Sequence, residues 1–175
     1  MKQIAIFVDG SNLAASARAA GFRIDFVKVL KYWQDQGKVI DASYFTALPS
    51  KEVPSPLRKL VDFLQYNGWV LVTKEVKDHL SSDGIFRVKG NMDVEIAVKA
   101  ILLSDRITDL VLFSGDGDFT CLVEELQRKG IVVTVVSHFS RGDDCQISDD
   151  LRRQSNSFMD LKRHRDAFEL KRRDK

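Results

Sequence analysis

The sequence predicts an α/β protein built on a doubly wound parallel sheet, and two observations lead there. Short apolar, β-branched runs alternate with helical patterns along the chain. Acidic residues also fall just past the ends of two of those runs, where an open α/β sheet places its sites.

The strand-like runs are Ile4 to Val8, Ala42 to Leu48, Trp69 to Thr73, Leu110 to Phe113 and Ile131 to Val136, each bounded by turn residues. The first ends in "DGSNL", which delivers Asp9, Ser11 and Asn12 beyond a glycine. A helix cap and a metal site both explain that Asp. Helical patterns follow at Asp25 to Gln36, Pro56 to Tyr66, Asp93 to Ser104 and Phe119 to Lys129. Asp25 is placed to cap the first of these, and Gly37, Gly68 and Gly130 stand where helices end. The stretch "KEVKDHLSSDGIFRVKGN" fits no helix and reads as a hairpin or loop leading into the Asp93 helix. "LRRQSNSFMDL", at 151 to 161, reads as an amphipathic closing helix. Phe7, Phe113 and Phe119 are expected in the core.

The 175 residues suffice for one domain that buries roughly 70% of its unfolded surface without disulfides or a structural metal. With 44% hydrophobic and 30% charged residues, the composition is that of a soluble globular protein, and no apolar run spans a bilayer. No secretory signal opens the chain, and Cys121 and Cys145 fit no zinc spacing, so a reducing, cytoplasmic setting is expected. The net charge of +2 hides a split: residues 161 to 175 carry a local +4, and the rest is mildly acidic. The boundaries expected are a domain over 1–161 and a basic helical tail over 162–175. That tail reads either as a solvated helix laced with ion pairs or as a phosphate-facing arm.

The acids carry the functional reading. In a 3-2-1-4-5 sheet the first and fourth strands are neighbours at the switch point, so Asp9 would meet Ser114, Asp116 and Asp118, with Asp93 opening the helix before strand four. Each Asp taken singly is explained by capping and the helix dipole. Four converging carboxylates repel unless one is protonated or a cation sits among them. Oxygen donors without nearby His or Cys select Mg²⁺ or Mn²⁺ over zinc, and such an ion activates water for displacement at phosphorus.

Other chemistries are excluded. His79, His138 and His164 are scattered and read as surface or loop residues, there is no GxSxG, and no glycine-rich phosphate loop is present. "DGSNL" approximates an adhesion-type DxSxS but has Leu13 at its end, and it lacks the DxD of a haloacid-dehalogenase-like phosphatase.

"FVDGSNL", "KGNMDVEIAVKA", "LFSGDGDFTCLVEELQRKG" and "LRRQSNSFMDL" together resemble the signature blocks of LabA-like NYN domains, relatives of the PIN nucleases, over residues 3 to 161. The resemblance implies a Rossmann-like PIN/NYN fold with strand order 3-2-1-4-5 and helices on both faces. It also implies an Mg²⁺- or Mn²⁺-dependent ribonuclease whose metal-binding and catalytic residues are Asp9, Asp93, Asp116 and Asp118. Asn12 is the polar partner in the first motif and Ser114 an orienting residue. Lys89 is placed to reach a substrate phosphate beside Gly90, and Arg152 and Arg153 to touch nucleic-acid backbone. RNA is the expected partner, a membrane is not, and a homodimer stays open. Two positions depart from the family: Lys99 stands where Asp is usual, and Gly117 where Ser is common. Glu95 lies four residues before Lys99, in the order that favours a helical ion pair. Lys99 is the argument for the alternative, an RNA-binding or regulatory module without turnover.

Overall fold

A computed structural model describes residues 1–49, 55–76 and 91–171. Six strands form one sheet in the order β3-β2-β1-β4-β5-β6, and every neighbouring pair is parallel. They are β1 (Gln3–Asp9), β2 (Lys38–Pro49), β3 (Val70–Val76), β4 (Asp109–Phe113), β5 (Val132–Ser137) and β6 (Ser157–Asp160). The helices are α1 (Gly10–Ala20), α2 (Phe26–Gln34), α3 (Pro56–Tyr66), α4 (Asp93–Leu103), α5 (Thr120–Arg128), α6 (Asp149–Gln154) and α7 (Arg165–Phe168).

Alternation along the central strands divides the core in two. Ile4, Ile6 and Val8 of β1, with Val111 and Phe113 of β4, pack against α1, α2 and α7. Ala5 and Phe7, with Leu110 and Leu112, face α4, α5 and α6. Both faces of the sheet are covered, which is why the strands read as continuous apolar runs. Phe7, Phe113 and Phe119 all lie in this core.

Capping chemistry sets the helix ends. The Asp25 side chain accepts from the Val27 and Lys28 N–H groups, and Ser55 caps α3 ahead of Pro56. Gly68 and Gly130 leave their helices at φ of 85° and 82°, conformations that cost a side chain but not glycine. α1 is a helix of small residues, and its buried face is mostly Leu13, Ser16, Ala17 and Ala20, too weak an apolar stripe to announce itself.

The expected closing helix is corrected. Ser148 caps α6, which stops at Gln154, and the chain then adds β6 to the open edge of β5. The Asn156 N–H donates to the Val133 carbonyl at 3.0 Å, and the Asn156 side-chain oxygen accepts from the Val133 N–H at 2.8 Å, so the sheet edge supplies backbone partners that override the helical pattern. Of the unassigned stretch after Thr73, Lys74 to Val76 extend β3, while residues 77–90 lie outside the described residues.

The tail is docked onto the body as far as it is described. Helix α7 has four residues, and Phe168 is fully buried, edge-on to Tyr32 at 5.2 Å and Phe113 at 6.0 Å. Lys28 donates to the Glu169 carbonyl at 2.7 Å, and the Leu170 N–H donates to Arg23 at 2.8 Å. Phe168→Ala is expected to lower the unfolding free energy by about 3 to 5 kcal/mol. Urea denaturation measures this, and an unchanged midpoint would mean that the tail is not anchored there.

Candidate metal centre

Everything acidic that matters lies at the carboxyl ends of the strands, on the rim shared by β1 and β4. Asp9 is the last residue of β1 and also caps α1, so the two explanations of its position hold together. One carboxylate oxygen accepts from Ser11 Oγ at 2.9 Å and from the Asn12 N–H at 3.2 Å; the other accepts from Ser114 Oγ at 3.3 Å. Being buried, it is held by three donors that leave it little freedom.

From Ser114 the order passes along the chain. Ser114 Oγ accepts from the Asp116 N–H at 3.2 Å, and the Asp116 carboxylate accepts from the Asp118 N–H at 3.0 Å, closing the 3-10 turn Gly117–Phe119. The Asn12 side-chain oxygen takes the Gly115 N–H at 2.8 Å, tying α1 to the same loop. Gly115 has no room for a side chain, because a Cβ there would lie 1.7 Å from the Gln146 carbonyl oxygen.

Asp93 enters from the start of α4. Asp93, Asp116 and Asp118 each offer a carboxylate oxygen, and these oxygens lie within 4.8 Å of one another. The Asp93 carboxyl is pushed above its ordinary range, first by burial and then by the charges of Asp116, Asp9 and Asp118, although Asn91 opposes the shift. A divalent cation would relieve that repulsion, and an all-oxygen donor set fits Mg²⁺ or Mn²⁺. Asp9 is outside this group of three and braces it through Ser114.

Tyr44, on β2 beside this rim, escaped sequence reasoning. Burial, with the Asp9 charge adding to it, holds its hydroxyl up at about 12. The only signal was its place in the alternation of β2, two residues from buried Ala42 on the same face. An apolar groove of about 400 Å³ runs from the acids between α4 and α5, lined by Val94, Ala97, Ile101 and Leu122.

Lys99 does not enter the cluster. Its ammonium lies 3.0 Å from the Asp41 carboxylate and donates to Ser43 Oγ at 2.5 Å. Ser43 and Asp41 pair with Phe7 and Ala5, two and four residues below Asp9, so these partners stand roughly 7 to 13 Å beneath the rim. The expected Glu95–Lys99 pair is not formed, since Glu95 reaches Lys74 at 2.9 Å instead. Sheet neighbours outcompete the weak helical pairing.

The remaining candidates separate. Arg153 is exposed and pairs with Asp149 at 3.6 Å, whereas Arg152 is half-buried against two phenylalanines. Lys89 and Gly90 lie outside the described residues. His138 is in the loop just past β5, as expected, but it is buried there, 1% exposed, with Asp160 3.4 Å and Asp144 3.5 Å from its ring nitrogens. His164 is half-buried, its Nδ1 2.9 Å from the Asp160 carbonyl, and His79 is outside the described residues. Among the described residues, no helix is long and apolar enough to cross a membrane.

Comparison with known proteins follows this architecture. The family model of the NYN domain matches residues 3–162. The low amplitude and bright protein LabA of Synechococcus elongatus is 29% identical over 161 residues, covering 91% of this chain and 83% of that protein. The crystal structure of a protein of unknown function from Vibrio parahaemolyticus matches with a TM-score of 0.76 and 26% identity, over 97% of this chain and 96% of that one.

Proposed function

The chain belongs to the NYN domain family, a group of PIN-like nuclease domains, and on that premise we propose that it is a metal-dependent ribonuclease hydrolysing RNA phosphodiester bonds. The observation that carries this reading is the convergence of Asp93, Asp116 and Asp118 within 4.8 Å at the switch point of the sheet.

Those three carboxylates would hold an Mg²⁺ or Mn²⁺ ion. Such an ion, when bound, supplies Lewis acidity to a phosphoryl oxygen and a water acidic enough to attack phosphorus. The chain's own residues do the placing. Asp9, Ser114 and Asn12 fix the loop that presents Asp116 and Asp118, so that the donors are set before a ligand arrives. The groove between α4 and α5 opens beside the acids, where a nucleotide flanking the scissile bond would lie.

Lys99 is no obstacle to turnover on this reading, because it leaves the acid cluster unneutralised. A cation among the acids would substitute for the metal, but this one is engaged with Asp41 well below the rim. The acidic cluster therefore keeps its demand for an external cation.

The test is cleavage of an end-labelled, unstructured RNA by metal-stripped protein, with Mn²⁺ added back. Cleavage is expected only with the cation. RNA that is bound and never cut, with Mn²⁺ present, would favour a binding or regulatory module.

A further inference from the structure

Arg152 projects from α6 with its guanidinium 3.9 Å from the centre of the Phe139 ring and 5.3 Å from that of Phe158. Stacking on an aromatic face fixes the plane of the group and leaves its edge, with its N–H donors, free to bind. No hydrogen bond or ion pair occupies those donors among the described residues. Arg128, Arg153, Arg163 and Arg165 have acidic partners, and Arg152 is the described arginine that lies over two aromatic rings. The edge borders a small cavity of about 140 Å³ whose other walls include Asp160, Arg163 and His164.

Asp160 is the one acid there, and it is turned to structural work. Its carboxylate accepts from the Phe139 N–H at 3.2 Å and the Lys162 N–H at 3.3 Å, with Arg163 Nε 3.9 Å away. Arg163 offsets its charge, so the Arg152 charge stays uncompensated.

The cavity shares the rim with the acids. Phe139 follows the end of β5, and Arg163 follows the end of β6, two strand intervals or roughly 10 Å across the sheet from β4. Along α6 the link is direct: Ser148 Oγ lies 3.0 Å from where a Gly117 Cβ would stand, in the turn that carries Asp118. Arg152 is one helical turn further on, roughly 6 Å along the axis.

We infer that the Arg152 cavity is a phosphate subsite for a single RNA strand, gripping a phosphodiester beside, and not at, the bond presented to the acids. The inference rests on the ribonuclease reading for its ligand. A planar guanidinium meets two phosphate oxygens at once, and the exposed Arg163, whose Nε faces Asp160, adds its outer N–H groups at the cavity mouth. The acid cluster repels a polyanion until a cation is bound. A cationic anchor further along the rim would therefore supply affinity that the chemical site cannot.

The experiment is fluorescence anisotropy of a labelled single-stranded RNA, with chelator present so that nothing is cut, across a series of salt concentrations. Arg152→Gln should bind about tenfold more weakly and reduce the slope of log K against log salt by about 0.7. Arg152→Lys should keep most of the slope and still lose affinity, because the charge remains while the planar fork is gone. Arg128→Gln, the same charge change at the far end of α5, should alter neither. In oligonucleotides carrying one uncharged methylphosphonate linkage at a time, the unmodified protein should lose affinity at a linkage next to the cleaved one, and Arg152→Gln should lose none there. If Arg152→Gln does not fold, Arg152→Lys and the linkage series carry the same test.

Parent-like affinity and slope in Arg152→Gln would overturn the subsite and leave the nuclease intact. An unmodified protein that binds no RNA would overturn the nucleic-acid reading itself, and the subsite with it.

Discussion

Asp116→Asn is expected to abolish cation binding at the rim and to reduce RNA cleavage by about a thousandfold or more, equivalent to about 4 kcal/mol of barrier. The fold should survive. Asp116 caps the Gly117–Phe119 turn through an oxygen that accepts the Asp118 N–H, and Asn provides the same acceptor at little cost. What the change removes is one of the negative charges that would hold the ion. Mn²⁺ titration calorimetry on the folded variant checks this. Unchanged affinity would return Asp116 to a purely capping role.

Asp93→Asn should behave likewise toward Mn²⁺ and also separate charge from structure by its stability. Burial and three neighbouring aspartates raise the Asp93 carboxyl above its ordinary range, so the folded protein holds that proton more tightly than the unfolded chain. Stability then falls as pH rises through the interval between the ordinary and the raised value, and the loss is complete at neutral pH. In chelator at neutral pH the variant should melt higher, by on the order of 2 °C, with the gain fading below the ordinary carboxylate range. Saturating Mn²⁺ should reverse the ranking, because only the parent gains full binding energy from the ion.

Gly115→Ala is the second large effect. A Cβ at this position would sit 1.7 Å from the Gln146 carbonyl oxygen and 2.6 Å from its carbon, both backbone atoms that no rotamer change can move. The residue is also fixed on either side: its N–H donates to Asn12, and its carbonyl accepts from the Ser148 N–H at 2.9 Å. Either the Asp116 loop or the Gln146 segment must shift. A loss of about 3 kcal/mol, roughly 10 °C in melting temperature, is expected, together with Mn²⁺ affinity weakened beyond what unfolding explains. A variant that melted and bound like the parent would show that the loop can yield to a methyl group without disturbing the acids.

The legible part of this molecule was what local chemistry decides. Strands buried on both faces are apolar throughout, and the acids stand at strand ends, so the strand runs and the convergence of Asp93, Asp116 and Asp118 could be read from spacing. The division of labour among the acids could not. Asp9 spends its oxygens on Ser11, Asn12 and Ser114, a matter of which donors the fold brings near. β6 was hidden because Ser157 to Asp160 are strand only through the exposed edge of β5. The partners of Lys99 come from a strand more than fifty residues away in sequence, beyond any helical rule. His138 reads as a polar residue after a strand, and only the packing of the Asp144 and Asp160 segments over it makes it buried.

The all-parallel ladder has a consequence for how the protein is made. Strand β1 leaves the ribosome before the other strands and can pair with β2 early, since Gln3 sits opposite Lys38. Its other edge waits for β4, because Ile4 sits opposite Asp109. Through most of elongation a fully apolar strand therefore carries an open edge, the feature most prone to pair with another chain. Asp9, made well before Ser114, acquires that partner only when the gap closes, so the acidic rim is assembled with the pairing of β1 and β4. A cation held by that cluster would thus report that β1 and β4 have paired: misassembled chains, though they contain every aspartate, would have no site to fill.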